Sequence, residues 1–216
     1  MGPTVELSHR IATGMPSYPG LPAPRVSEYL SHESSRPHYD GQAEFSIGHL
    51  DFVGNTGTYL DSPYHRFADR EDIGALPLVR LLDLPAVTID VTADSRAVVA
   101  DVGDVAGKAV LFRSGWDQRW GTDAYWEPGP YLGADTVRAL VTAGPALVGV
   151  DFWNVDDTTD PARPAHTELL RAGILIVEHL RGLDALPGSG FRFSAIPLSV
   201  EGAASMPVRA WATLST

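Results

Sequence analysis

The 216-residue chain contains no cysteine, which excludes disulfides, thiolate nucleophiles and sulfur-ligated metals. Basic residues are scarce: 16 Lys and Arg stand against 27 Asp and Glu, Lys108 is the only lysine, and the net charge is −11. That balance argues against nucleic acid and anionic membranes as partners, since both need clustered Lys and Arg. No apolar run reaches the length of about eighteen residues that spans a bilayer. The N-terminal MGPTVELSHRIATGMPSYPG lacks a basic stretch followed by an apolar core, so it does not read as a secretory signal. The expected compartment is the cytoplasm. Solenoid-period repeats and low-complexity tracts are missing as well.

What remains is ordinary globular material, 44% hydrophobic and 20% charged, with no composition break to divide residues 1–216. Short runs rich in Val and Ile recur: AVTIDV (86–91), AVLFRSGW (109–116), ALVGVDFW (146–153), GILIVEHL (173–180) and PVRAWATL (207–214). Each is short and bounded by Gly, Pro or Asp, which favours strands. GADTVRALVTAG (133–144), with Asp135 as N-cap and Gly144 as stop, predicts a helix, and AHTELLRAG (165–173) a second, shorter one. Strands alternating with helices make a single α/β domain. The Pro-rich MPSYPGLPAP (15–24) and polar SHESSRPHYDG (31–41) read as long loops, of the kind that serve a pocket or cover a neighbouring subunit.

The chemistry concentrates in NTGTYLDSPYH (55–65), where Asp61 and His65 stand four residues apart between Gly57, Pro63 and their turn. Far along the chain, HTELLRAGILIVEH places His166 and Glu178 on either side of the apolar GILIV. If GILIV is a buried strand, Glu178 ends it, and a carboxylate there is costly to bury without a cation. Two carboxylates and two imidazoles suffice for one Zn²⁺ or Mn²⁺ with an open position. Each residue taken singly also has a structural reading, Asp61 as the cap of its turn and the others as satisfied or solvent-facing side chains. His9, His32, His38, His49 and His179 show no partner spacing and are read as structural.

These segments resemble the cyclase superfamily that contains bacterial kynurenine formamidase and isatin hydrolase. Its signature H-x-G-T-H-x-D-x-P-x-H is matched at Gly57, Thr58, Asp61, Pro63 and His65, and the likeness extends through MPSYPG, LFRSGWDQRW, LVGVDFWNVD, HTELLRAGILIVEHLRGLD and IPLSVEGAASMPVRAWA. The resemblance implies a mixed, partly closed β-sheet or barrel with helices packed outside. It also implies a homodimer or homotetramer, in which the 15–41 loops lie at a subunit interface or pocket. It implies a two-metal site with Asp61 and Glu178 bridging, His166 as the late ligand, His65 as acid/base and Tyr18 against the substrate. Here the signature is degenerate, because Asn55 and Tyr59 stand where the family has its first two histidines. Neutral Asn and a phenol of ordinary pKa about 10 are poor ligands for zinc. At most one divalent metal, on Asp61, His166 and Glu178, is therefore expected, and kynurenine formamidase activity proper is not.

Three functions follow as expectations. The first is hydrolysis of a small cyclic or aryl amide, imide or lactone in specialised or catabolic metabolism, with His65 as acid/base and Tyr59 as a donor to the oxyanion. The second is a metal-free cyclisation, dehydration or isomerisation by Tyr59, Asp61 and His65. The third is a binding protein without catalysis. Tyr18, Trp116, Trp120, Tyr125, Trp126, Phe152 and Trp153 suggest an aromatic or polyunsaturated ligand, with core packing as the alternative for all but Tyr18. Asn55 is the second candidate for substrate contact.

Overall fold

The computed structural model describes residues 2–91 and 95–215. Its strands, in chain order, are β1 (Thr4–Glu6), β2 (Arg25–Leu30), β3 (Ile47–Asp51), β4 (Tyr59–Asp61), β5 (Leu84–Asp90), β6 (Ala97–Val98), β7 (Ala109–Arg113), β8 (Tyr131–Leu132), β9 (Leu147–Val150), β10 (Leu175–Glu178), β11 (Ser189–Pro197) and β12 (Ser205–Leu214). The helices are α1 (His32–Ser35), α2 (Ala134–Ala143) and α3 (Pro164–Arg171).

Seven strands close a ring. β5, β7, β9 and β10 pair in parallel, and β4, β12 and β11 return antiparallel from β10 to β5. β1 adds to the far half of β12. The expected mixed sheet is thus a closed barrel, with α2 and α3 outside. The parallel strands read AVLFR, LVGV and LIVE because both of their faces are covered. Alternate residues divide between two cores. Ala109, Leu111, Leu147, Leu175 and Val177 pack inside the barrel with Leu60, Phe191, Phe193 and Ala210. Val110, Phe112, Val148, Val150 and Ile176 pack outside it against Val137 and Leu140 of α2 and Leu169 and Leu170 of α3. Gly149 is an interior position of β9 where a Cβ would stand 2.6 Å from Leu180 Cδ1 and 2.7 Å from Leu111 Cδ2, so only hydrogen fits.

Two local expectations are corrected. Gly133, not Asp135, is the N-cap of α2, and Asp135 sits in the first turn, where its charge favours the helix dipole. Residues 31–41 are not bare loop: Ser31 and Ser34 exchange hydrogen bonds of 3.1 and 3.0 Å in a capping box, which starts α1 and a 3-10 turn over Arg36–Tyr39. β2 and β3 form a separate two-stranded ribbon whose apolar Tyr29 and Leu50 are 78% and 57% exposed.

Candidate active site

Strand pairing brings the two carboxylates together. On β4 and β10, Asp61 lies opposite Ile176, Leu60 opposite Val177 and Tyr59 opposite Glu178. Leu60 and Val177 belong to the barrel interior, so alternation turns Tyr59, Asp61 and Glu178 outward. Over that face α3 places His166 in its first turn. His166 Nε2 then lies 3.6 Å from both Asp61 Oδ2 and Glu178 Oε1, and all three side chains are buried.

Apart from His166 Nε2 and Asp61 Oδ2, the polar atoms of the cluster already have hydrogen-bond partners. Glu178 Oε1 accepts from the Val155 amide at 2.7 Å, and Oε2 accepts from the Tyr59 hydroxyl. His166 Nδ1 faces Asp156 Oδ2 at 2.6 Å, and the Ala165 amide donates to Asp156 Oδ1 at 2.5 Å. Asp61 Oδ1 accepts from Ser205 Oγ at 2.5 Å. Asp61 Oδ2 is buried without a hydrogen-bond partner. An orphaned buried acceptor costs about 1–3 kcal/mol or more.

A divalent cation fits this arrangement. Bonds of about 2.0–2.2 Å at a tetrahedral angle separate ligand atoms by about 3.3–3.6 Å, and a carboxylate behind the other nitrogen of a liganding histidine is the usual support. The electrostatics agree. Burial opposes a charge on His166, but Glu178, Asp156 and Asp61 outweigh it and push its pKa up to about 10. Burial lifts Glu178 to about 7 against the pull of His166. Even with His166 protonated, three carboxylates around it leave a surplus of negative charge, which a divalent cation displacing the Nε2 proton would relieve.

His65 ends a 3-10 turn that Pro63 begins with its fixed φ. Its Nδ1 lies 3.2 Å from Ser205 Oγ and 3.6 Å from Asp61 Oδ1, and its ring centre is 5.5 Å from that of His166. Gly54 allows this approach, since a Cβ there would sit 2.3 Å from the Ser205 carbonyl oxygen. A cavity of about 250 Å³ opens over the cluster, lined by Tyr18, Asn55, Tyr59, His65, His166 and Glu178, with Leu21, Arg66, Asn154 and Arg163 at its sides. Every site residue expected from the sequence is therefore at the cavity or, for Asp61, buried within the cluster. Of the expected aromatics Tyr18 lines it. Trp120, Tyr125, Trp126 and Trp153 pack on one another and on His9 and His179, as in the 3.8 Å stack of His9 on Trp120, and Trp153 also backs Tyr18 at 5.6 Å. Burial pushes both histidines down to about 3, so they stay neutral.

Asp156, Ser205 and Arg163 escaped the sequence reading. Asp156 and Arg163 lie in a Pro- and Asp-rich turn where several residues are equally polar, and Ser205 becomes relevant only through its pairing opposite Asp61.

The family model described as "Putative cyclase" matches residues 5–157. The chain is 31% identical over 179 residues to a kynurenine formamidase of Salinibacter ruber, covering 79% of this chain and 81% of that one. It is 28% identical over 205 residues to an isatin hydrolase of Roseibium aggregatum, covering 81% and 77%. Its fold matches that of isatin hydrolase A from Labrenzia aggregata bound to benzyl benzoate, at 21% identity, with a TM-score of 0.86 over 99% of this chain and 94% of that one.

Proposed function

The chain belongs to the cyclase family, and we propose that it hydrolyses a small cyclic or aryl amide, imide or lactone with one divalent cation, zinc or manganese, held by Asp61, His166 and Glu178. The observation that carries this reading is the convergence of three buried ligand atoms, one of them the partnerless Asp61 Oδ2. The relatives' names, a formamidase and an isatin hydrolase, support C–N bond hydrolysis and a ring-bearing substrate. A divalent ion held by Asp61, His166 and Glu178 would supply an acidified water and a polarised carbonyl.

The protein's own groups do the rest. Asp156 holds Nδ1 of His166 and so turns Nε2 toward Asp61 and Glu178, where it would be free to hold the ion. The Tyr59 hydroxyl donates a hydrogen bond to Glu178 Oε2, and burial and the neighbouring Glu178 and Asp61 charges hold its pKa well above the ordinary value, so it keeps its proton. Tyr59 thus acts as a brace for Glu178. Ser205 joins Asp61 to Nδ1 of His65, which leaves the opposite ring nitrogen of His65 to take a proton from water and return it to the leaving nitrogen or oxygen. Tyr18 and Asn55 contact the substrate from the cavity wall.

Protein purified without chelator is expected to carry about one zinc or manganese per chain by elemental mass spectrometry. Chelation is expected to stop hydrolysis and the ion to restore it. Activity that survives exhaustive chelation would instead favour metal-free chemistry by Tyr59, Asp61 and His65. Among the described residues no helix is long and apolar enough to cross a membrane, which accords with the cytoplasm as the proposed compartment. We also assign the β2–β3 ribbon, with its exposed Tyr29 and Leu50, and residues 31–41 to the interface of a homodimer or homotetramer, while Tyr18 and Leu21 of the same 15–41 region serve the pocket. Sedimentation equilibrium at a single-chain mass would overturn that assignment.

A further inference from the structure

One wall of the cavity is basic. Arg163, immediately before α3, has φ 49° and ψ 58°, a left-handed conformation that costs a side-chain-bearing residue on the order of 1 kcal/mol. Its Nη1 donates to Asn154 Oδ1 at 3.1 Å and its Nη2 to the Tyr18 hydroxyl at 3.2 Å. Arg66, next to His65, lines the same cavity, with Nη2 3.4 Å from the Arg163 carbonyl oxygen.

Among the described residues, nine of the thirteen other arginines sit in ion pairs with Asp or Glu. Among the described residues neither Arg163 nor Arg66 does so. In a chain of net charge −11, this guanidinium is fixed at a pocket by neutral partners alone. Bracing Asn154 and Tyr18 needs donors but no charge. A planar, permanently charged fork with donors to spare suits a carboxylate.

We infer that Arg163, assisted by Arg66, binds a carboxylate carried by the substrate, so that the hydrolysed amide, imide or lactone bears an anionic group besides its reacting carbonyl. The word substrate rests on the proposed hydrolysis, whereas the anion site stands without it.

Benzoate and its neutral analogue benzamide, titrated calorimetrically into the full-length protein, separate the two ideas. Wild type is expected to favour benzoate by about tenfold or more. Arg163→Gln is expected to reduce that preference to less than about threefold, while Arg163→Lys keeps most of it because the charge remains. Glu178→Gln is expected to retain it. Equal affinity in wild type, or a preference that survives Arg163→Gln, overturns the proposal. A preference lost in Glu178→Gln alone also overturns it, because the carboxylate then belongs to the ion. A purely structural role for Arg163 would weaken both ligands alike and leave their ratio unchanged. Formanilide and its ortho- and para-carboxylated forms then read the turnover. A lower KM for a carboxylated form, lost in Arg163→Gln, is the result expected. If none is hydrolysed while the benzoate preference follows Arg163, the anion site holds and the hydrolytic reading of this substrate class fails.

Discussion

Glu178→Gln is expected to strip the ion from the protein and to lower kcat/KM by well over about 100-fold, the upper end for residues one step removed from a metal. The substitution keeps the shape of the side chain and its bond from the Val155 amide, while it removes the charge that faces His166 Nε2 at 3.6 Å. Loss of activity is therefore not expected to reflect loss of fold. The sign of the pH effect makes this testable. Burial raises the folded pKa of Glu178 from 4.5 to about 7, so without the ion its stabilising contribution is present at low pH and is lost as pH rises through that window. At pH 8 the metal-free variant is expected to melt no lower than metal-free wild type. Added zinc or manganese is expected to raise the Tm of wild type only. A metal-free variant that melts far below metal-free wild type would show that Glu178 is needed for the barrel itself.

His65→Gln is expected to lower kcat by about 10²–10⁴-fold, the range for a positioned acid/base, with metal content unchanged. The separation follows from geometry, since His65 addresses Ser205 and Asp61 Oδ1 and none of the three converging ligand atoms. Asp61 pulls the pKa of His65 up, but burial and the charges of His166, Arg66 and Arg163 together leave it below the ordinary 6.5. A lowered pKa keeps the imidazole neutral, and able to accept a proton, further into acid. The acid limb of wild-type kcat/KM is accordingly expected to have its midpoint below pH 6.5. The acid limb should be absent from the residual activity of the variant. An acid limb with its midpoint above 6.5, or one that persists in His65→Gln, would assign the proton to another group.

Legibility in the sequence followed the range of the forces involved. β7, β9 and β10 were readable because strands covered on both faces are continuous apolar runs, and α2 because its buried face repeats at helical spacing between two glycines. β4 was read as loop, since three residues among Gly, Thr, Asp and Pro carry no period, and its strand character comes from β10 and β12 on either side. The ribbon of RVSEYL and IGHLD was missed because it buries almost nothing in the chain's own core. At the site, Asp61, His65, His166 and Glu178 could be named from two short segments. Their supports could not, because Asp156 and Ser205 gain their roles from where the fold sets them.

β12 also governs when the site can come into being. The ribosome makes Asp61 and His65 well before Ser205, which bonds to both and belongs to β12, the last of the seven barrel strands in chain order, and among the described residues β4 pairs only with β10 and β12. Until β12 leaves the tunnel the barrel is an open sheet with bare edges, a form prone to pair with another chain. An unfinished or clipped copy lacking β12 is therefore no weaker version of the protein: it has an unsupported carboxylate in place of a site and an adhesive edge in place of a seam.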